Sequence, residues 1–129
     1  MKPLAAVELE LLEGNFTIHR LSPSAEIPVE VFSSVFLNIS KTEEELSIVC
    51  PSSLELKSEH RDNDWVCIKV RGSLDFGLTG VLAKLCGVLA EAQLSIFAIS
   101  TYDTDYILVK ATKANKAVSA LETAGYKFT

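Results

Sequence analysis

Residues 97–109 hold two short runs rich in β-branched and aromatic side chains, separated by a polar segment that carries Asp103 and Asp105. Runs of that length suit buried strands, and the polar break between them reads as the end of a β-hairpin. The same pattern stands sixty residues earlier, in residues 36–49. Aligned without a gap, Ile39 meets Ile99, Ser40 meets Ser100 and Val49 meets Val109, while Glu43 and Glu45 fall on Asp103 and Asp105. An internal repeat of this size means two related supersecondary units, so the fold follows from what one unit looks like.

The second unit is the clearer one. Residues 65–71 place Val66, Ile68 and Val70 on one face and Cys67, Lys69 and Arg71 on the other, as a strand with one face in a core requires. Over residues 76–92, Leu78, Val81, Leu82, Leu85, Leu89 and Ala92 recur at the three-and-four spacing of an amphipathic helix, with Asp75 in place to cap it. After the hairpin, Ala114, Ala117, Val118, Leu121 and Ala124 mark a second helix, Gly125 its C-terminal stop, and residues 126–129 a short closing strand. Strand, helix, strand, strand, helix, strand is the ferredoxin-like order, an antiparallel sheet with both helices on one face. In that order the strand 95–101 lies at the sheet edge, yet Ile96, Phe97, Ala98 and Ile99 are apolar on both faces, so a partner strand is expected to cover it.

The first unit is abbreviated. Residues 6–12 and 15–21 alternate around Gly14 and suggest a hairpin, while Pro23 and Pro28 keep residues 20–28 irregular. Residues 29–35 allow at most a short helix, and the polar run 57–64 reads as a linker. The expected architecture is α+β: tandem ferredoxin-like (βαββαβ) units, a shortened N-terminal one over residues 1–60 and a full one over 61–129.

Charge and composition narrow the function. The net charge of −5 without a basic run argues against nucleic acid, and no apolar run approaches the roughly 18 residues of a membrane span. With no signal-type apolar core near Met1, the chain reads as soluble and cytoplasmic. Cys50, Cys67 and Cys86 are odd in number and lack a Cys-x-x-Cys pair, which fits reduced core thiols. His19 reads as a strand-surface residue and His60 as solvated; neither joins a nucleophilic or metal-binding set, and no phosphate loop is present. No enzyme activity, cofactor or metal is expected.

The run Gly77, Leu78, Thr79, Gly80, Val81, Leu82, Ala83, about twenty residues before the hairpin 97–109, resembles the ACT domain. The likeness is to the subgroup of aspartate kinase regulatory domains and the cytosolic arginine sensors of animals. The first half, with Arg20, Leu21, Ser22 and Pro23, with residues 45–51 and with Trp65, looks like the shortened partner unit of small bacterial two-unit proteins of this type. The resemblance implies a non-catalytic module that binds a small ligand, usually an amino acid, between units and signals by changing how units pack. Carried over residue by residue, the site comprises Asp75, Phe76, Gly77, Leu78 and Thr79 in the loop into the first helix. Its other wall is the second strand's end, Ile99, Ser100, Thr101, Asp103 and Asp105, with Tyr102 between them. Backbone amides at the helix start suit a ligand carboxylate, and the three aspartates suit an ammonium or guanidinium. Each residue also has a plainer reading: Asp75 caps a helix, Asp103 and Asp105 shape a turn, and Ser100 and Thr101 satisfy backbone groups. A homodimer and a downstream protein partner are further implications; the alternative is a structural assembly module without ligand. One departure is Gln93, which stands after the first helix where relatives often carry glycine.

Overall fold

Twelve consecutive residues, His60–Arg71, form the longest strand (β5), and the chain around it divides into two compact units, residues 14–65 and residues 66–129 joined by the segment ending at Glu13. The computed structural model describes residues 7–71 and 80–129.

In the larger unit β5 is followed by α1 (Val81–Glu91), β6 (Ile96–Ser100), β7 (Asp105–Lys110), α2 (Ala114–Thr123) and β8 (Lys127–Phe128), the βαββαβ order expected of a ferredoxin-like domain. β6 pairs antiparallel with β7 in the register Ile96↔Val109 to Ser100↔Asp105, and β7 also pairs with β5. Val66, Ile68 and Val70 of β5, Ile107 and Val109 of β7, Leu85 and Leu89 of α1, and Ala117 and Leu121 of α2 share one buried cluster, so both helices cover the same sheet face. α1 ends in a left-handed residue: Gln93 has φ 62°, Leu94 N–H donates to Leu89 O (3.0 Å) and Gln93 N–H to Ala90 O (2.9 Å). α2 ends the same way with Gly125 at φ 105° and Tyr126 N–H donating to Leu121 O (3.0 Å). Two stops of one type therefore use different residues, and only the glycine is free of a Cβ penalty there.

The sheet of this unit gains a strand that periodicity alone did not assign to it. β1 (Glu8–Leu11) pairs antiparallel with residues 68–71 of β5 and parallel with β8, and its Leu9 is fully buried in the helix-side core. The expected hairpin between residues 6–12 and 15–21 is not formed: β2 (Phe16–Leu21) pairs instead with residues 60–65 of β5 and with β4. Alternation identified both strands, but it says nothing about which strand is the neighbour.

The smaller unit contains β2, β3 (Asn38–Lys41), β4 (Leu46–Pro51) and the first half of β5, in the order β3-β4-β2-β5. Its helices are reduced to one 3-10 turn, Val29–Ser33, and to an irregular segment in which Leu54 and Leu56 lie over Leu21, Leu46, Ile48 and Cys50. The polar run 57–64 is only in part a connection, since His60 to Asp64 belong to β5 and His60, Arg61 and Asp62 face Arg20, His19 and Ile18 of β2. Backbone pairing tolerates exposed polar side chains, so polarity misplaced the loop boundary; the expected division at residue 60/61 falls at the start of β5 rather than in a linker.

β6 pairs with β7 alone among the described strands, which places it at the sheet edge as the element order requires. Ile96 and Phe97 are half-buried and Ile99 is buried, leaving Ala98 and Ser100 as its exposed residues.

Candidate functional site

The two hairpins end in the same turn. Thr42 N–H donates to Glu45 O (2.9 Å) while Glu45 N–H reaches Thr42 Oγ1 (3.2 Å); Thr101 N–H donates to Thr104 O (2.8 Å) while Thr104 N–H reaches Thr101 Oγ1 (3.3 Å). The strand pairs flanking them are Lys41↔Leu46 and Ser100↔Asp105. Structural equivalence thus matches Thr42 with Thr101 and Leu46 with Asp105, an offset one residue shorter than the gapless alignment. A one-residue slip turns every side chain to the other face, so this correction changes the meaning of the repeat. Under it, Ile48, Val49 and Cys50 match Ile107, Leu108 and Val109, all six fully buried. The residue equivalent to Asp105 is Leu46, at 2% exposure, and Glu45 is the counterpart of Thr104.

Asp105 is half-buried and accepts a 2.6 Å hydrogen bond from Ser100 Oγ on its Oδ1. It lies on the face that carries Ile107 and Val109, beneath the helices, and its charge is felt at α1: burial, and then the Asp105 carboxylate, push the Cys86 thiol up. Among the described residues Asp105 forms no ion pair, and the same holds for the exposed Asp103. Thr101 has its hydroxyl in the turn, donating to Thr104 O at 3.1 Å, so its plainer reading is met. Ile99 is buried and Tyr102 is 85% exposed. Asp75, Phe76, Gly77, Leu78 and Thr79 lie outside the described residues, and Gly80, at φ 83°, holds the N-cap position of α1.

Thr104 escaped the sequence reading. It is 6% exposed, and its hydroxyl donates a 2.7 Å bond to Val70 O, tying the hairpin end to the last residues of β5. The signal that was available is the pair Thr42 and Thr101, which a gapless offset conceals.

Two histidine and cysteine readings can be set against the described residues. His19 is not on the surface: it is 2% exposed, its Nδ1 is 2.8 Å from Ser58 Oγ, and burial, followed by the nearby Arg61 charge, lowers its pKa. Its buried Nε2 has no hydrogen-bond partner among the described residues. Cys50 and Cys67 are buried, and burial pushes the Cys67 thiol up to about 12, far from a reactive thiolate. Among the described residues no cluster of His, Cys, Asp and Glu has a metal-holding arrangement, and no helix is long and apolar enough to cross a membrane.

Comparison with known proteins gives this geometry its relatives. The family model of the ACT domain matches residues 60–123, and a model of an N-terminal domain matches residues 14–54. The human protein CASTOR3P is 31% identical over 109 residues, covering 71% of this chain and 67% of that one. Cytosolic arginine sensor for mTORC1 subunit 1 of Pongo abelii is 30% identical over 129 residues, covering 92% of this chain and 39% of the sensor, so the chain spans well under half of that relative. Among solved structures, protein Atu0741 of Agrobacterium tumefaciens superposes with a TM-score of 0.88 at 32% identity, over 95% of this chain and 92% of that one. The ligand-free regulatory subunit of aspartate kinase from Thermus thermophilus shares the fold at a TM-score of 0.64 and 14% identity, over 91% and 97% of the two chains.

Proposed function

The chain belongs to the ACT domain family, and from that premise we propose that it is a non-catalytic regulatory protein that binds an amino acid and signals through association of its units. One observation carries the reading. At equivalent hairpin ends, the N-terminal unit has the buried Leu46 and the C-terminal unit the half-buried, hydrogen-bonded Asp105. Asp105 has no cation partner among the described residues, and burying part of a carboxylate that way costs stability, whereas an apolar residue there would add to the core, so a turn-forming role alone does not favour aspartate at that place. A ligand ammonium or guanidinium supplies the missing partner. In this reading Ser100 orients the carboxylate, Thr104 fixes the hairpin end against β5, and Ile99, Thr101 and Asp103 complete that wall. The loop residues Asp75, Phe76, Gly77, Leu78 and Thr79 form the opposite wall, with main-chain amides for the ligand carboxylate. The C-terminal unit alone carries this site; a cytosolic setting, a homodimer and a downstream protein partner complete the proposal.

A thermal-shift screen against the twenty amino acids tests it. A ligand that binds the folded state alone adds about 2.7 kcal/mol at 100 times its Kd, which in a chain of this size raises the melting temperature by about 5 to 15 °C. No shift from any amino acid would favour the assembly module without ligand.

A further inference from the structure

The larger unit covers one face of its sheet with α1 and α2, and the smaller covers the equivalent face with an irregular segment, residues 52–58. Leu54 and Leu56 of that segment lie over Leu21, Leu46, Ile48 and the fully buried Cys50. Alternate residues of a strand share a face, so Thr17 and His19 stand on this same side as Leu21. Polar groups tie the segment down at both ends. At its start, Ser52 N–H donates to Asn15 O (2.9 Å) and Thr17 Oγ1 lies 2.8 Å from Ser52 Oγ. At its end, Arg61 Nη2 donates to Leu56 O (2.7 Å) and His19 Nδ1 lies 2.8 Å from Ser58 Oγ. His19 is 2% exposed, and its buried Nε2 has no hydrogen-bond partner among the described residues. A neutral ring tolerates that place as a bare acceptor, with the proton on Nδ1 toward Ser58. An imidazolium does not, because it puts a second N–H without an acceptor, and a charge, into the core.

We infer that residues 52–58 form a strap that neutral His19 latches through Ser58 and protonated His19 releases, so that mild acid uncovers Leu21, Leu46, Ile48 and Cys50 while the sheet stays folded. The surrounding charges do not rescue the imidazolium. Arg61 faces His19 across the β2–β5 pair and repels it. On β4, Ile48 stands opposite, and Cys50 beside it is a thiol whose pKa burial raises. Arg20, His60 and Asp62 occupy the other face of their strands, and Glu45 and Glu59 are paired with Arg20. Glu26, Lys41, Glu55 and Lys57, from the other elements packed on this cluster, are exposed. Burial first, and then Arg61, accordingly lower the His19 pKa from its usual 6.5. Opening the strap hydrates Nε2 and returns the ring to an ordinary pKa, so protons favour the open form. Closure is therefore complete above about pH 6.5. Below it the open population rises by up to about tenfold per pH unit, until the lowered pKa of the closed form is reached. Residues 55–58 lie outside helix and strand, the kind of segment that opens locally without global unfolding.

The cysteines supply the test. Cys50 lies beneath the strap, while Cys67, fully buried in the larger unit, reports unfolding of the whole chain. The full chain is labelled with a dithiodipyridine reagent from about pH 7.5 down to about 5.5, with peptide mapping to separate the cysteines and circular dichroism to check folding. Each rate is divided by that of the same cysteine in the urea-unfolded chain at the same pH, which removes the intrinsic pH dependence of a thiol. The corrected Cys50 rate rises by about three- to tenfold over that range while that of Cys67 does not change. His19→Gln, which cannot ionise, flattens the Cys50 profile. Ser58→Ala removes the latch and speeds Cys50 labelling already at about pH 7.5, again without Cys67. A wild-type Cys50 rate indifferent to pH, or one that rises only in step with Cys67, overturns the inference, as does a wild-type profile in His19→Gln. Should His19→Gln fail to fold, the wild-type profile and Ser58→Ala decide together: a Cys50 rate unchanged in Ser58→Ala overturns the latch, and a faster one supports it. Amino-acid binding at Ser100 and Asp105 stands or falls separately.

Discussion

Replacing Gln93 by glycine stabilises the protein, and the size of the gain follows from the end of α1. Gln93 sits at φ 62°, held there by the paired bonds Gln93 N–H to Ala90 O and Leu94 N–H to Leu89 O. A residue with a Cβ in the left-handed region costs about 1 to 2 kcal/mol. Glycine removes that cost but gives back about 0.5 to 1 kcal/mol through the freedom it adds to the unfolded chain. The side chain of Gln93 is exposed, so nothing else is lost. The net is a gain of about 0.5 to 1 kcal/mol, or a melting temperature higher by about 2 to 5 °C. Urea denaturation reads it as a higher midpoint at an unchanged slope. The reciprocal change, Gly125→Ala at φ 105°, costs about 1 kcal/mol or more. A Gln93→Gly protein no more stable than wild type would refute the left-handed stop at α1.

Three further outcomes follow from the described contacts. Thr104→Val keeps the shape but leaves Val70 O without its 2.7 Å bond, so stability drops by about 1 to 3 kcal/mol in urea titration; a loss under 0.5 kcal/mol would mean the anchor is not made. Asp105→Ala abolishes most of the ligand-induced thermal shift while changing apo stability by less than about 1 kcal/mol in either direction, since the lost bond from Ser100 is offset by removing a half-buried carboxylate; a full ligand shift in the variant would remove Asp105 from the site. His19 has a folded pKa below its unfolded 6.5, so below that pH the unfolded chain binds the proton more readily. Stability is therefore fully present above about 6.5 and falls, at up to about 1.4 kcal/mol per pH unit, toward the depressed folded pKa; equal slopes for wild type and His19→Gln between pH 7 and 5 would contradict it.

The C-terminal half was legible because its signals are local. The three-and-four spacing around Leu85 and Leu89, the alternation of Val66, Ile68 and Val70, and Gly125 each report a periodicity or a backbone angle that neighbouring residues fix by themselves. Pairing partners are not local. Nothing in residues 8–11 distinguishes a strand that folds back on β2 from one that inserts between β5 and β8, and only the tertiary sheet places Leu9 in the helix-side core. Residues 60–64 hid their strand for a related reason: an exposed strand is held by main-chain bonds that impose no apolar residue. The repeat was visible, but its register was not, because Ile39 and Ser40 align at one offset while the turns Thr42–Glu45 and Thr101–Thr104 align at another. At the proposed site, Ser100 and Asp105 were legible as residues of the hairpin end, where they share a hydrogen bond; Thr104, which ties that end to β5, was lost to that same slip.

Amide chemical-shift mapping on the full chain, titrated with each of the twenty amino acids, tests the central claim most directly, because it locates binding as well as detecting it. The account predicts saturable shifts from at least one amino acid, centred on the amides of Ile99, Ser100, Thr101, Asp103 and Asp105 and of Gly77, Leu78 and Thr79, with the equivalent N-terminal hairpin, residues 38–51, unmoved. Shifts centred on residues 38–51, or none with any amino acid at millimolar concentration, the weak end of specific binding, would contradict it.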